Sequence, residues 1–295
     1  MTDQSPSERF SELQETPLTL TGSDQTPVPA ILTEPHHPTN RAVILCHGFL
    51  SDKNSRTNRR LTELLVPENI ATLRFDWYGM GDLRKEFPRL TLHQCLDQLT
   101  AIASYLSGRG FSSLGLVGSS FGGFMAIMAA ARLPNLKAVG LKCPVVDFAE
   151  CLRLEFGEQA MSVWKHTHHI PDILQGQNLL PLHYGFFEEC LTVDGYDCAS
   201  RMTMPTRVVH GGKDLLIPAH QIARLMDVLP DPKDLRILPE ADHQFGRPED
   251  FRVMTTLLAQ WMIEQMPYSA KTSLQVSSQR EATSPSNTPP TGKVS

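Results

Sequence analysis

Short apolar runs alternate with amphipathic segments along most of this chain. In the first half, four runs predict buried strands: "RAVILCHGF", "IATLRFD", "SLGLVG" and "LKAVGLKCP". Apolar residues at helical spacing separate the runs at residues 57–66, 91–108 and 120–133. In the middle helix, Thr91 is a suitable N-cap, and Gly108 or Gly110 ends the pattern. Strands that alternate with helices predict βαβ units and a mostly parallel sheet covered by helices on both faces.

The same alternation returns near the end of the chain. It predicts a strand, a helix, a strand and a last helix at "PTRVVHGG", "PAHQIARLMDVL", "DLRILPE" and residues 248–265. At the other end, "PLTLTG" and "PVPAILTEP" alternate in a period of two around "SDQT". This pattern predicts a β-hairpin that forms an antiparallel edge of the sheet.

Three segments depart from the alternation. Residues 148–203 mix short helical pieces with aromatic residues and histidines, and are too long for an ordinary loop. We therefore expect a cap over one end of the sheet, inserted between two parts of an α/β core at 16–147 and 204–266. Residues 1–15 are predicted to be flexible. Residues 267–295 are rich in Ser, Thr and Pro and predict a disordered tail.

Composition and charge exclude several classes of protein. The 295 residues are 41% hydrophobic, which is ample for one large core. A net charge of −5 with scattered Lys and Arg gives no reason to expect a nucleic acid or an anionic membrane as a partner. No apolar run approaches the length of a membrane span, and the polar first residues show no secretory signal. The oligomeric state is left open.

The cysteines and loop motifs bear on location and cofactors. The six cysteines are dispersed without a CxxC pair, which favours free thiols in a reducing cytoplasm over disulfides or a zinc site. The sequence contains no phosphate-binding P-loop, and no dinucleotide fingerprint follows the first strand. We therefore expect a cytoplasmic protein that uses neither a cofactor nor a metal.

The segment "GLVGSSFGG" joins a predicted strand to a predicted helix. Gly118-Ser119-Ser120-Phe121-Gly122 fits G-x-S-x-G, with Ser120 at the central position. In this context the motif forms a strained turn that exposes the serine hydroxyl at the carboxyl edge of the sheet. The turn also places the amide of Phe121 at the start of a helix, where negative charge is favoured. Ser120 is therefore the candidate nucleophile, although a glycine-rich turn with a capping serine has the same pattern.

Three other segments of the chain contain residues that could act together with such a serine. His47-Gly48-Phe49 ends the first apolar strand and is similar to an HG-type oxyanion loop, in which the amide of Phe49 joins that of Phe121. Asp214 follows a late strand and could orient an imidazole. His243 follows the next strand and is the candidate general base. Their order in the chain, Ser, Asp, His, is that of the α/β-hydrolase triad. Asp147, which follows an earlier strand, is an alternative acid.

Together these motifs resemble the α/β-hydrolase superfamily over residues 16–265. "HGFLSDKN", "LRFDWYGMGD" and "GLVGSSFGG" are similar to its cinnamoyl or feruloyl esterase-like branch and to its serine-aminopeptidase-type and acylglycerol-lipase-type neighbours. That branch commonly has D-x-R-G-x-G-x-S after the second core strand. Here Tyr78 replaces the arginine and Leu83 replaces the serine, so the substrate class is left open.

The resulting hypothesis is a serine hydrolase that cleaves small or aromatic acyl esters. Ser120, Asp214 and His243 would be the triad, and Phe49 and Phe121 the oxyanion donors. Esterases of the resembled branch use cap aromatics against aromatic acyl groups, which makes Trp164 and Tyr184 candidate substrate contacts. The alternatives are a serine peptidase, thioesterase or monoacylglycerol lipase of the same fold. An idle relative that only binds a ligand is a further alternative.

Overall fold

The apolar runs form one eight-stranded sheet in the computed structural model, which describes residues 13–23, 25–133, 135–171 and 179–268. Its strands are β1 (Glu15–Thr21), β2 (Pro27–Thr33), β3 (Arg41–Cys46), β4 (Ala71–Phe75), β5 (Ser113–Ser119), β6 (Leu136–Lys142), β9 (Thr206–Gly211) and β10 (Lys233–Leu238). Most of the two ends for which we predict flexibility or disorder, residues 1–12 and 269–295, lie outside the described residues.

The strand order is β1-β2-β4-β3-β5-β6-β9-β10. β1 pairs antiparallel with β2, and β2 pairs antiparallel with β4, so the predicted hairpin does form an antiparallel edge. All pairs from β4 to β10 are parallel. The prediction of a mostly parallel α/β sheet is confirmed.

Helices follow the strands at or near the predicted positions. They are α1 (Arg56–Leu65), α2 (Leu92–Gly108), α3 (Phe121–Ala130), α4 (Phe148–Thr167), α5 (Gly185–Leu191), α6 (Gly195–Ser200), α7 (Ala219–Val228) and α8 (Pro248–Gln265). Thr91 caps α2 as predicted, because its side chain accepts the amide of Gln94 at 3.1 Å. Within the described residues, no helix is both long and apolar enough to cross a bilayer.

The core occupies both faces of the sheet. Along β3, Ile44 packs on one face with residues of α2 and α3, while Val43 and Leu45 pack on the other face with residues of α1 and α8. Successive residues of a strand point to opposite faces, so a strand covered on both sides needs an unbroken apolar run. This explains why "RAVILC" shows no polar alternation.

The segment predicted as a cap contains more regular structure than its sequence pattern indicates. Its first helix, α4, bends at Gly157, where φ is 69°. A two-stranded antiparallel ribbon, β7 (His169–Pro171) with β8 (Leu179–Pro181), and the helices α5 and α6 follow. Phe148 of α4 and Phe186 of α5 both pack on Phe49 of the core, with ring centroids 5.5 and 6.0 Å away. The segment is therefore anchored beside the predicted oxyanion loop.

Candidate active site

Ser120 lies at the sharp turn between β5 and α3. Its backbone has φ 51° and ψ −113°, a conformation that side-chain-bearing residues rarely adopt. The amide of Ser120 donates to the Lys142 carbonyl on the neighbouring strand at 2.9 Å, which fixes the turn to the sheet. A strained, non-glycine residue held in this way is typical of a functional position, and this is the geometry that G-x-S-x-G predicts.

The glycines on either side of Ser120 permit this turn by their lack of a side chain. A Cβ on Gly118 would lie 2.3 Å from the carbonyl oxygen of Gly122, and a Cβ on Gly122 would lie 2.3 Å from that of Cys46. Both contacts are with backbone, so no side-chain rotation could relieve them. The two positions therefore require glycine for close approach of α3 to β3 and β5.

His243 and Asp214 come together across the loops that follow β10 and β9. Nδ1 of His243 donates to Oδ2 of Asp214 at 2.8 Å, and the other carboxylate oxygen accepts the amides of Leu216 and Ile217 at 2.9 and 3.0 Å. Burial acts to raise the pKa of Asp214, but the hydrogen bond and the charge of His243, with the Ile217 amide, outweigh it and bring the pKa to about 2. Asp214 is therefore a carboxylate at neutral pH.

The side chain of the alternative acid, Asp147, makes different hydrogen bonds. Its side chain accepts the amide of Glu150 at 2.8 Å and caps α4. Of the two candidate acids, only Asp214 is hydrogen-bonded to His243 among the described contacts.

Ser120 and His243 line the same cavity, which has a volume of about 580 Å³. The other walls come from the last residues of β5 and β6, the loop after β3, the start of α1 and the loop after β10. One residue each of α4 and the loop after β9 completes the lining. No direct hydrogen bond joins the Ser120 hydroxyl to His243 in the described part of the chain. Catalytic hydrogen bonds are often long in a free enzyme and shorten once substrate is bound.

The loop after β3 lies beside the serine. A Cβ on Gly48 would be 3.6 Å from the Cβ of Ser120. Nδ1 of His47 donates to the Gly48 carbonyl at 2.8 Å, and Nε2 accepts the amide of Trp77 at 3.3 Å. Because the carbonyl and amide of a trans peptide point in opposite directions, this bond turns the Phe49 amide away from the His47 ring. Phe49 and the first residue of α3, Phe121, are the predicted oxyanion donors.

Substitution of His47 tests whether its hydrogen bond to Gly48 orients the Phe49 amide. Burial lowers the pKa of His47 to about 4, so the ring is neutral at pH 7 and cannot act through charge. We expect His47→Ala to lower kcat roughly tenfold to a hundredfold, less than the loss of an oxyanion donor itself, while KM changes little. Steady-state kinetics on a nitrophenyl ester measures this, with the exposed His93→Ala as the matched control. Equal activity of both variants would contradict the role.

A family model for the alpha/beta hydrolase family matches residues 43–253, which is more than half of the chain. The chain belongs to the α/β-hydrolase family. The human palmitoyl-protein thioesterase ABHD10, mitochondrial, is 25% identical over 219 residues, covering 72% of this chain and 70% of that protein.

Solved structures agree on the fold of this α/β-hydrolase. Est1E from Butyrivibrio proteoclasticus superposes with a TM-score of 0.69 at 23% identity, over 84% of this chain and 98% of Est1E. The esterase domain from a Rhodothermus marinus protein superposes with a TM-score of 0.67 at 21% identity, over 86% of this chain and 100% of that domain. At these identities the likeness concerns the fold alone.

Trp164 and Tyr184 lie in the inserted segment of the hydrolase, away from the cavity of Ser120. Trp164 is fully buried, donates its indole N–H to the Leu182 carbonyl at 2.7 Å, and packs on Tyr184 with ring centroids 5.3 Å apart. Neither residue lines the cavity of about 580 Å³. The two rings belong to the core of the inserted segment, and their predicted contact with substrate stays a prediction.

Two further residues, Cys143 and His210, lie next to Asp214. Polar atoms of Cys143, His210 and Asp214 lie within 4.8 Å of one another. Burial, opposed by Lys142 and reinforced by Asp214, raises the pKa of the Cys143 thiol, which therefore stays protonated beside the carboxylate. His210 is recognisable in the sequence as the next-to-last residue of β9, four residues before Asp214, whereas Cys143 follows β6.

Lys142 is a residue of the candidate site that the sequence pattern did not indicate. It is the last residue of β6, it lines the cavity of Ser120, and it is only 5% exposed. Its Nζ donates to the His243 carbonyl at 2.8 Å. The available signal was a lysine at the carboxyl end of a strand whose preceding residues are apolar, at the sheet edge where this fold places its chemistry.

Proposed function

We propose that this α/β-hydrolase cleaves carboxylic esters with Ser120 as nucleophile, His243 as general base and Asp214 as the residue that orients His243. The observation that carries the proposal is the 2.8 Å bond between His243 and Asp214 at the wall of the cavity that Ser120 also lines. The strained backbone of Ser120, at φ 51°, supports the same assignment.

The reaction runs through an acyl-enzyme in two halves. Ser120 Oγ attacks the ester carbonyl carbon while Nε2 of His243 takes the hydroxyl proton, and the amides of Phe49 and Phe121 stabilise the oxyanion. Collapse of this intermediate breaks the C–O bond, and His243 returns the proton to the leaving alcohol. Water, deprotonated by His243, then attacks the acyl-enzyme and releases the carboxylic acid and Ser120.

Small or single-ring acyl groups are the substrates we favour. A second cavity of about 220 Å³ shares Leu50 and Ser51 with the cavity of Ser120. Apolar side chains, including Met80, Phe87 and Leu180, form most of its wall, and the exposed cations Arg84 and Lys85 also line it. We assign it to the acyl group, since an apolar, concave site of this size suits a short chain or one ring. Est1E, which has the same fold, binds ferulic acid in one of its structures.

Thioesters are the second candidate substrates. The human relative of 25% identity is named as a palmitoyl-protein thioesterase. The same triad and oxyanion donors would serve, with a thiol in place of the alcohol as leaving group. That relative is also named as mitochondrial, and the cytoplasmic location of the present chain stays a prediction.

A fluorophosphonate probe tests the nucleophile, and a substrate panel tests the class. We expect covalent labelling at Ser120, identified by mass spectrometry of the labelled peptide, since the probe phosphonylates an activated serine. The panel comprises nitrophenyl esters of graded chain length, hydroxycinnamate methyl esters, matched thioesters and aminoacyl nitroanilides. Labelling elsewhere would reject Ser120. Turnover of the nitroanilides alone would indicate a serine peptidase, and labelling without turnover of any substrate an idle relative.

A further inference from the structure

Two cations line the cavity of Ser120 on the side of the His243 loop. Lys142 Nζ donates to the His243 carbonyl at 2.8 Å, and Arg56 donates to the Phe245 carbonyl at 2.8 Å. Both acceptors are neutral. In the described part of the chain, neither cation has a carboxylate within ion-pair distance.

Burial of the Lys142 ammonium is unfavourable without such a partner. Its side chain is nearly inaccessible to solvent. Burial, reinforced by the charge of Arg56, lowers the pKa of Lys142, against the more distant carboxylates of Asp214 and Asp242, which raise it. A structural contact with one carbonyl oxygen leaves an ammonium with two further N–H donors. A buried, incompletely paired cation in a catalytic cavity is typical of a site whose missing partner is the ligand.

The start of α1 adds to the positive potential on this side. Ser55, Arg56 and Thr57 all line the cavity, so the positive end of the ten-residue helix α1 faces it. The carboxylate in the wall, Glu155, is an exposed residue of α4 and pairs with neither Lys142 nor Arg56 among the described contacts. One side of the cavity is therefore cationic.

In the proposed reaction, the leaving group lies on this cationic side of the cavity. His243 protonates the departing oxygen or sulfur, so the leaving group must lie next to His243. Lys142 is bonded to the backbone of that residue, whereas the cavity assigned to the acyl group adjoins at Leu50 and Ser51 of the loop after β3. A charged group within the alcohol part of a substrate would thus face the cations.

We infer that the natural substrate is an ester or thioester whose alcohol or thiol part carries a carboxylate or another small anion, bound by Lys142 with the help of Arg56. The inference rests on the proposed function and makes it more specific. It also gives Lys142 a role in selecting substrates, beyond its bond to the His243 backbone.

Two matched esters test the inference on the full chain. 3-Acetoxybenzoate carries a carboxylate on its alcohol part, and methyl 3-acetoxybenzoate is its neutral counterpart. We expect the wild-type chain to show a higher kcat/KM for the anionic ester, by roughly tenfold, because hydrogen bonds to charged groups are among the stronger ones. Lys142→Met removes the charge at similar length and should abolish most of that preference, because the loss in kcat/KM should fall on the anionic ester more than on the neutral ester.

Lys137→Met is the matched control, because Lys137 lies on the same strand, β6, but is exposed at its opposite end. It should retain the wild-type preference. Equal losses of Lys142→Met on both esters would overturn the inference and make Lys142 a positioning residue of the His243 loop. A wild-type chain that prefers the neutral ester would overturn it as well. Fluorophosphonate labelling of Ser120 in each protein separates these results from failure of the proposed function, which would abolish labelling.

Discussion

Replacing Ser120 by alanine should lower kcat for every ester by about 10⁵-fold to 10⁶-fold, the largest loss expected of any single exchange in this chain. Alanine keeps the Cβ and so preserves the packing of the turn, but it removes the oxygen that forms the acyl-enzyme. Residual turnover would come from the amides of Phe49 and Phe121 and from substrate binding, acting on water. Stopped assays with a nitrophenyl ester at high protein concentration can measure a loss of this size.

Ser119→Ala is the control for that experiment. Ser119 precedes the nucleophile, ends β5 and lines the same cavity, yet its backbone lies in the strand rather than at the strained turn. We expect its kcat to stay within about tenfold of wild type, as for exchanges outside the reacting groups. Should Ser119→Ala show the greater loss, the nucleophile would be Ser119 and the G-x-S-x-G interpretation wrong. Unchanged melting temperatures of both variants would exclude unfolding as the cause.

Most of the sheet was predictable from local pattern. The run "RAVILC" is buried on both faces of the sheet, so its unbroken apolar sequence predicts a strand without knowledge of the adjacent strands. The hairpin was predictable for the opposite reason, since its edge strand β1 alternates between exposed and partly buried residues. The segment Gly81–Arg89 was missed because it is a 3-10 helix that contains Pro88, and such short, irregular helices leave no 3.6-residue period.

The candidate site was predictable where the chemistry depends on a local turn. Ser120 needs Gly118 and Gly122 within two residues, so the motif is contained in five consecutive positions. Asp214 and His243 were inferred from their place after strands, because the carboxyl ends of parallel strands share one edge of the sheet.

What could not be predicted depends on contacts between distant parts of the chain. Lys142 and His243 are 101 residues apart, and no local pattern relates them. The aromatic residues of the inserted segment present the same difficulty. Phe186 packs on Phe49 beside the oxyanion loop, whereas Trp164 packs within the segment itself. Phe186 and Trp164 are both aromatic residues of the same segment, so only the tertiary structure tells which ring lies near the site.

These aromatic contacts link the inserted segment to the predicted oxyanion donors. The ring of Phe49 touches Phe121 at 5.7 Å between centroids and Phe148 at 5.5 Å, so both predicted oxyanion donors belong to residues whose side chains are fixed in one aromatic cluster. Side chains packed in this way hold their backbone in place. If the amides of Phe49 and Phe121 are the oxyanion donors, they would need no reorganisation as the oxyanion forms, which is the condition under which such donors are most effective.

Asp214→Asn should lower kcat by about 10⁴-fold while leaving the fold intact. Asparagine can still accept the Leu216 and Ile217 amides that bond to Oδ1 at 2.9 and 3.0 Å, so the loop after β9 keeps its shape. It cannot supply the negative charge that supports a protonated His243, and its NH2 group favours the imidazole tautomer with the proton on Nε2. His243 would then have no lone pair facing Ser120 with which to take the hydroxyl proton.

Asp147→Asn is the matched control, since Asp147 is the other candidate acid and its bond to the Glu150 amide is a helix cap. We expect it to cost about 1 kcal/mol of stability or less and little activity. Kinetics of both variants on one nitrophenyl ester, with melting curves, measures the difference. If Asp147→Asn lost more activity than Asp214→Asn, the acid would come from the strand before the inserted segment. The 2.8 Å bond between Asp214 and His243 would then be structural. The present geometry argues for Asp214, because a carboxylate with a pKa of about 2 stays charged throughout the range in which a histidine base can work.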